Sequence, residues 1–470
     1  MPGPVAAPPR RGRIRRGLAA ALAGSSAIWV GVTSAQEGVP NPALVIDLGV
    51  GLEADGDGPE LRGDVGLSYL TRTRSQSFEL SLGSSVRVGE DGIGDEALLP
   101  VLRTVYGFDN GATLLSLSGG YTLREVEGLS FLLTEDLDGD GDPGFDTVGL
   151  VEDDGLLETV SANLALSLWR RSPVGLELGA DLLRRDYRDT SDPDLDDSRR
   201  VGASAALRLT PREGLDFRLT ASHRRESEDD LLDRETETTR LGAGVDWRAA
   251  PGTAIDLTVA RSVREEDRLA AGGGRETIRT TGLVWEGGIA QDRRNGRRGL
   301  RFARTLVDDG DRLDDLELFR ALDLAGGGAL SLGVGLARFE DGDLAVEARA
   351  AYSQPLAQGA RLTASLSRQA GTDGEDQEVA RSQARIGFDR PLSPVAGVGI
   401  SARLARIEVI DGVDPDQTAI SVAASYRHAL TPDWSLRASV THDAARPEGG
   451  DTDRDTRLSL GLGRSFTFRP

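Results

Sequence analysis

The chain has 470 residues, a formal net charge of −21 and no cysteine, and its 55 basic residues are all arginine. The acidic balance argues against a nucleic-acid partner, which needs a basic patch. The lack of thiols excludes disulfides and thiolate metal sites.

The first element in chain order is a leader. Arg10, Arg11, Arg13, Arg15 and Arg16 precede a mostly apolar run from Leu18 to Val32, which ends in Thr33-Ser34-Ala35. A positive cluster, an apolar stretch and a small-residue end define a secretory signal peptide. The expected division is a signal peptide over 1–35, a short periplasmic lead-in over 36–42, and one domain over 43–470. The apolar run is shorter than the ~20 residues a spanning helix needs, which disfavours an anchor.

From Ala43 onward one texture holds. Val201, Ala203, Ala205, Leu207 and Leu209 alternate with Gly202, Ser204, Ala206, Arg208 and Thr210. The same alternation runs through Leu215–Ser222, Arg240–Trp247, Arg361–Ser367, Ile420–Arg427 and Ser435–Val440. Successive side chains of a strand point to opposite faces, so each segment has one apolar and one polar face. A soluble sandwich also alternates; three further features favour a membrane barrel.

The connections come in two kinds that take turns. Short ones such as Pro211–Gly214 and Thr431–Asp433 separate longer acidic ones such as Arg188–Asp197, Glu226–Glu235 and Glu265–Gly274. Short periplasmic turns and longer external loops are the asymmetry of bacterial barrels. Tyr69, Trp247, Tyr352, Phe388, Tyr426, Trp434 and Phe468 share the apolar phase near a short connection or the C-terminus, where interfacial aromatics belong. In the last segment Leu458, Leu460, Leu462, Phe466 and Phe468 share a face. This resembles the C-terminal strand of Gram-negative outer-membrane barrels, which the barrel-assembly machinery reads. Arg464 on the lipid phase and Arg469-Pro470 after the Phe depart from that pattern.

The chain thus resembles porin-like outer-membrane barrels over about Ala43 to Phe468. The expectation is an all-β transmembrane antiparallel barrel of about 22 strands (18–22), in the outer membrane and in contact with its lipids. Residues 275–324 alternate least cleanly, and Trp169 is out of phase, calling for a bulge or an inward side chain.

The longest loop, about 125–155, carries Asp136, Asp138, Asp140, Asp142 and Asp146. Alternate aspartates with Gly141 at the sixth position resemble an EF-hand loop, although Thr147 stands where the bidentate Glu belongs. Calcium is the one cofactor this suggests; the competing reading is a solvated acidic loop. His223, His428 and His442 lack metal spacing. Ser439 lies near His442 in sequence but on the opposite phase, which weakens a hydrolase. No catalytic site is identified, so the chain reads as a non-enzyme.

Arg208, Arg218, Arg240, Arg361, Arg403, Arg437 and Arg457, with Asp216, Asp246, Asp256 and Glu347, take the inward phase and would line a pore. The functional expectation is porin-like passive passage of solutes; the long loop either folds inward and narrows the pore or caps the barrel from outside. The alternative is a structural or export-associated surface barrel. A plugged receptor is disfavoured, because 22 strands leave little chain for a plug.

Overall fold

A computed structural model describes residues 42–468, apart from 55–57, 89–97, 127–154, 191–195, 230–231, 251, 271–272, 307–311, 341, 373–377, 412–415, 448 and 451. The expected signal peptide, nearly all of the lead-in, and the acidic motif Asp136–Asp146 lie outside the described residues.

The strands are β1 (Ala43–Ala54), β2 (Pro59–Arg72), β3 (Gln76–Val88), β4 (Leu98–Asp109), β5 (Leu114–Val126), β6 (Gly155–Leu168), β7 (Val174–Arg188), β8 (Ser198–Arg212), β9 (Leu215–Glu228), β10 (Arg234–Ala250) and β11 (Thr253–Leu269). They continue as β12 (Arg275–Arg293), β13 (Gly296–Leu306), β14 (Arg312–Asp323), β15 (Ala329–Arg338), β16 (Leu344–Pro355), β17 (Arg361–Thr372), β18 (Glu378–Ser393), β19 (Ala396–Asp411), β20 (Gln417–Ala429), β21 (Trp434–Pro447) and β22 (Asp453–Phe468). All belong to one 22-stranded sheet. β22 returns antiparallel to β1, from Leu44 opposite Phe468 to Ala54 opposite Leu458, and closes the barrel. Closure leaves no sheet edge at membrane depth, where every backbone group must be paired within the protein.

The two faces differ as a bilayer requires. The outward phase shows Leu48, Val50, Leu52, Leu241, Leu283, Leu318, Val334 and Leu460 to the surroundings. The inward phase holds the buried polar side chains Glu53, Ser81, Ser85, Arg185, Ser262, Glu266, Arg381 and Gln417. In water this distribution would be inverted. No helix among the described residues is long and apolar enough to cross a membrane, so the strands do the crossing.

The stretch that alternated least is regular: β12 pairs with β11 without a shift from Thr253↔Gln291 to Leu269↔Arg275. Its small residues Gly282, Gly287 and Gly288 diluted the hydrophobic signal without breaking the period. Trp169 is neither in a bulge nor inward. It leads the turn between β6 and β7 at φ 55° and is exposed. Most acidic loops are shorter than expected, because the strands run on through them. Glu226 to Glu228 belong to β9 and Glu265 to Leu269 to β11. Cross-strand pairs such as Arg225–Glu235 and Arg279–Glu265 (3.2 Å) hold these extensions together. At the other end the tightest turns use glycine where the chain needs a left-handed residue, as at Gly214 (φ 81°) between β8 and β9.

Candidate functional site

The lumen is built by the inward phase of all 22 strands. The register puts Arg208, Arg218, Arg240, Arg361, Arg403, Arg437, Arg457, Asp216, Asp246, Asp256 and Glu347 on the same face as the buried Glu53, Arg185 and Glu266. What the sequence did not convey is how they group around the wall.

On β9, β10 and β11, Asp246 stands directly opposite both Asp216 and Asp256. Three carboxylates thus form a row across the wall, flanked by inward Glu177 and Asp181 on β7 and Glu286 on β12. Like charges side by side repel, and the row is tempered locally. Arg218 pairs with Asp246 at 2.5 Å, and the Thr210 hydroxyl donates to Asp216. Ten strands away, near the opposite side of the barrel, the wall is cationic. Arg385 stands opposite Arg403, Arg427 opposite Arg437, and Arg361 lies on the same arc. The lumen therefore sets an arginine arc on β17–β21 against a wall on β8–β11 where the aspartate row is interleaved with Arg208, Arg218 and Arg240, and low-dielectric walls focus the field of the unbalanced arc. On the aspartate side, Ser116, Ser118, Asn163, Asp181 and Ser204 frame a recess of about 210 Å³.

At the loop end the inner wall changes character and becomes dry. Val379, Ala405, Ile407, Ala419 and Ala445 bury one another across β18–β21, with Ile407 only 3% exposed. A second cluster joins Leu313, Ala337, Phe339, Ala345 and Ala370, with Ile410 of β19 packed against it. Between them, the ladder of β16 and β17 stops at Ala348↔Arg368. Beyond that point the Ala370 N–H donates to the inward Glu347 carboxylate at 3.2 Å instead of to the neighbouring strand. The upper part of β17 thus leans over the inner face of β16, and the mouth is constricted on this side.

The seven predicted aromatics lie on the outward phase toward the turn end. Tyr69 meets Phe78 with ring centroids 6.2 Å apart. Arg464, the cation that the sequence placed on the lipid phase, stacks over Phe466 at 4.4 Å and Trp434 at 5.3 Å. Its charge rests against ring faces at the interface. The histidines make no catalytic pair. His442 Nδ1 bonds Thr456 Oγ1 at 2.8 Å on the outside, while Ser439 bonds Ser459 at 2.5 Å on the inside. Among the described residues no group of His, Asp and Glu could hold a metal ion.

The sequence reading missed Arg385, Arg427, Glu177 and Asp181, although all share the inward phase of strands that it did identify. It also missed the dry mouth. Ala405, Ile407 and Val409 occupy three successive inward positions, and that break in the polar phase was the available signal.

No protein-family model matches the chain, and no curated protein matches it in sequence. Its structure is similar to that of the ferric-catecholate import receptor Fiu of E. coli K12 in its open form (TM-score 0.60, 11% identity, 91% of this chain and 82% of that one). It is similar to the siderophore receptor PiuA of Acinetobacter baumannii (TM-score 0.59, 10% identity, 91% and 82%). It is also similar to the FrpB iron transporter of Neisseria meningitidis, F5-1 variant (TM-score 0.58, 11% identity, 91% and 83%). The chain has the fold of Gram-negative outer-membrane β-barrels, a closed antiparallel barrel of 22 strands.

This overturns the expectation of a passive porin. The solved barrels that share the fold are described as import receptors and transporters, and none of those named here as a diffusion pore. The physical reason lies in the strand count. Aqueous porin channels are built from 16–18 strands, whereas 22 strands enclose a lumen too wide to leave open. The structural or export-associated alternative is not favoured either. The receptor class, which chain length had seemed to disfavour, is the one whose barrel this chain shares. The 22 strands and their connections take up residues 43–468, and among the described residues no segment forms a separate plug domain.

Proposed function

We propose that the chain is a receptor-type outer-membrane transporter that actively takes up an anionic metal chelate. The observation that carries this is the closed 22-stranded barrel whose loop end turns apolar and leans inward along β14–β21, which suits gated entry of a recognised ligand better than free diffusion. The cargo class draws on the iron and siderophore transport named for the similar barrels, and on the arginine arc. In this reading Arg361, Arg403 and Arg437 attract the ligand through the lumen. Arg208, Arg218, Arg240 and Arg457, with Asp216, Asp246, Asp256 and Glu347, line its path. Tyr69, Trp247, Tyr352, Phe388, Tyr426, Trp434 and Phe468 form the periplasmic interfacial girdle, and β22 presents Phe468 to the assembly machinery.

The test is accumulation of a panel of radiolabelled ferric and cupric chelates by cells with and without the chain. Accumulation of an anionic chelate should require the chain and stop when a protonophore dissipates the inner-membrane gradient. Accumulation that survives the protonophore, with steady conductance in planar bilayers, would overturn it.

A further inference from the structure

The outer wall carries a groove on β12–β15, of about 640 Å³, within the ~300–1,000 Å³ typical of ligand clefts. Its apolar lining is Ile289, Leu300, Leu318, Leu332 and Val334, all on the lipid-facing phase, with Ile289, Leu318 and Val334 among the exposed large apolar side chains. At its turn-end rim stand Arg298 and Arg320, which face each other across β13 and β14. Arg293 lies beside them on the last position of β12.

The bonding of these arginines differs from that of the outward arginines at the loop end, and only here, among the described residues, do two of them stand directly opposite each other on neutral amides. At the loop end, outward arginines meet carboxylates: Arg188 with Glu158, Arg304 with Asp314 at 2.5 Å, Arg368 with Glu408 at 2.6 Å and Arg406 with Asp416 at 3.0 Å. The groove arginines bond only neutral amides. Arg298 donates to Gln291 Oε1 at 3.1 Å, Arg293 to the same oxygen at 2.5 Å, and Arg320 to Asn295 Oδ1 at 3.0 Å. Two directly opposed guanidiniums without a carboxylate destabilise a sheet, and an external anion removes that penalty through charge-assisted hydrogen bonds. The arginines sit at the turn end, level with the headgroups of the periplasmic leaflet, and the apolar groove runs from them toward the membrane core. Basic pockets against apolar walls at membrane level bind anionic lipid headgroups.

We infer that β12–β15 bind one anionic phospholipid of the periplasmic leaflet, its phosphate on Arg298 and Arg320 and an acyl chain along Leu300, Leu318 and Val334. The site lies outside the lumen and is independent of the cargo.

The test is native mass spectrometry of the refolded full chain in detergent. The probes are dioleoyl-phosphatidylglycerol, dioleoyl-phosphatidylethanolamine and inorganic phosphate, and heat-modifiable gel migration checks that each variant is folded. One phosphatidylglycerol should bind about tenfold more tightly than phosphatidylethanolamine. That preference should vanish in the Arg298→Gln/Arg320→Gln double variant. Leu318→Trp, which fills the groove while keeping the charges, should weaken both lipids. Arg390→Gln, which removes another outward arginine near the turn end that bonds an amide (Gln358, 2.9 Å), should change nothing. Retention of the preference in the double variant overturns the assignment. So does an equal loss in Arg390→Gln, or phosphate binding as tightly as the lipid.

Discussion

Glu53 on the first strand accepts an ion pair from Arg457 on the last, at 3.4 Å, across the line where the barrel closes. The same carboxylate also meets Arg62 of β2 at 3.5 Å, and Glu53 is only 7% exposed. One inward side chain therefore ties three consecutive strands at the closure. Glu53→Gln should lower the stability of the refolded barrel by about 1–3 kcal/mol, because two guanidiniums lose their shared acceptor in a poorly hydrated place. Urea unfolding followed by tryptophan fluorescence measures this. Arg279→Gln, which breaks a half-exposed outer pair, serves as the comparison and should cost under about 1 kcal/mol. Equal losses would mean that the closure pair has no special weight.

The arginine arc predicts a charge dependence of transport. Arg403→Glu combined with Arg437→Glu should reduce uptake of an anionic chelate about tenfold or more, while heat-modifiable migration shows an intact barrel. The same number of reversals on the outward face, at Arg225 and Arg279, should leave uptake unchanged. Uptake insensitive to the inner pair would remove the arc from the transport path.

The dry mouth predicts a leak when it is wetted. Ile407→Asp puts a carboxylate among Val379, Ala405 and Ala419, where an ionised group stays only if water follows it. Single-channel recordings should then show conductance that the parent chain lacks, and cells should become sensitive to large hydrophilic antibiotics. A silent Ile407→Asp barrel would place the seal elsewhere.

Topology gives a fourth expectation. A cysteine at Asp229, in the loop after β9, should react with a membrane-impermeant maleimide on intact cells. A cysteine at Arg212, at the turn end of β8, should react only after the outer membrane is opened. The reverse pattern would invert the barrel.

How far the sequence carried the fold depends on which signals survive in a single strand. Alternation at Val201–Thr210 or Arg240–Trp247 fixes which face each residue takes, because the strand period is two and every outward position must be apolar. The eleven lumen residues followed from that phase alone. Their grouping did not. Asp216, Asp246 and Asp256 form a row only once the stagger between β9, β10 and β11 is known, and that stagger is set by turn geometry such as Gly214 rather than by phase. The acidic ends of β9 and β11 read as loops because charged residues are poor strand formers in isolation; their partners across the ladder, Arg234 opposite Glu228 and Arg279 opposite Glu265, make them strands. The function was misjudged for a related reason. Twenty-two strands were counted, but passive passage narrowed by the long loop was inferred from the polar inward positions, and the apolar inward run Ala405, Ile407 and Val409 at the loop end was not weighed.

The strands around the closed wall differ in length in a way that has its own consequence. β10, β11 and β12 have 17, 17 and 19 residues, and β13 to β16 have 10 to 12. β12 pairs with β13 only from Trp285 to Arg293, so its first ten residues, Arg275–Val284, rise beyond its neighbour. Nine extra residues on β12 relative to β15, at a rise of ~3.3 Å each and a tilt of about 45°, lift one flank roughly 20 Å above the other. The barrel thus presents a parapet on one flank and a low sill on the other. A large solute approaching this end therefore meets a rim of unequal height, with the lumen wall reached first over β13–β16.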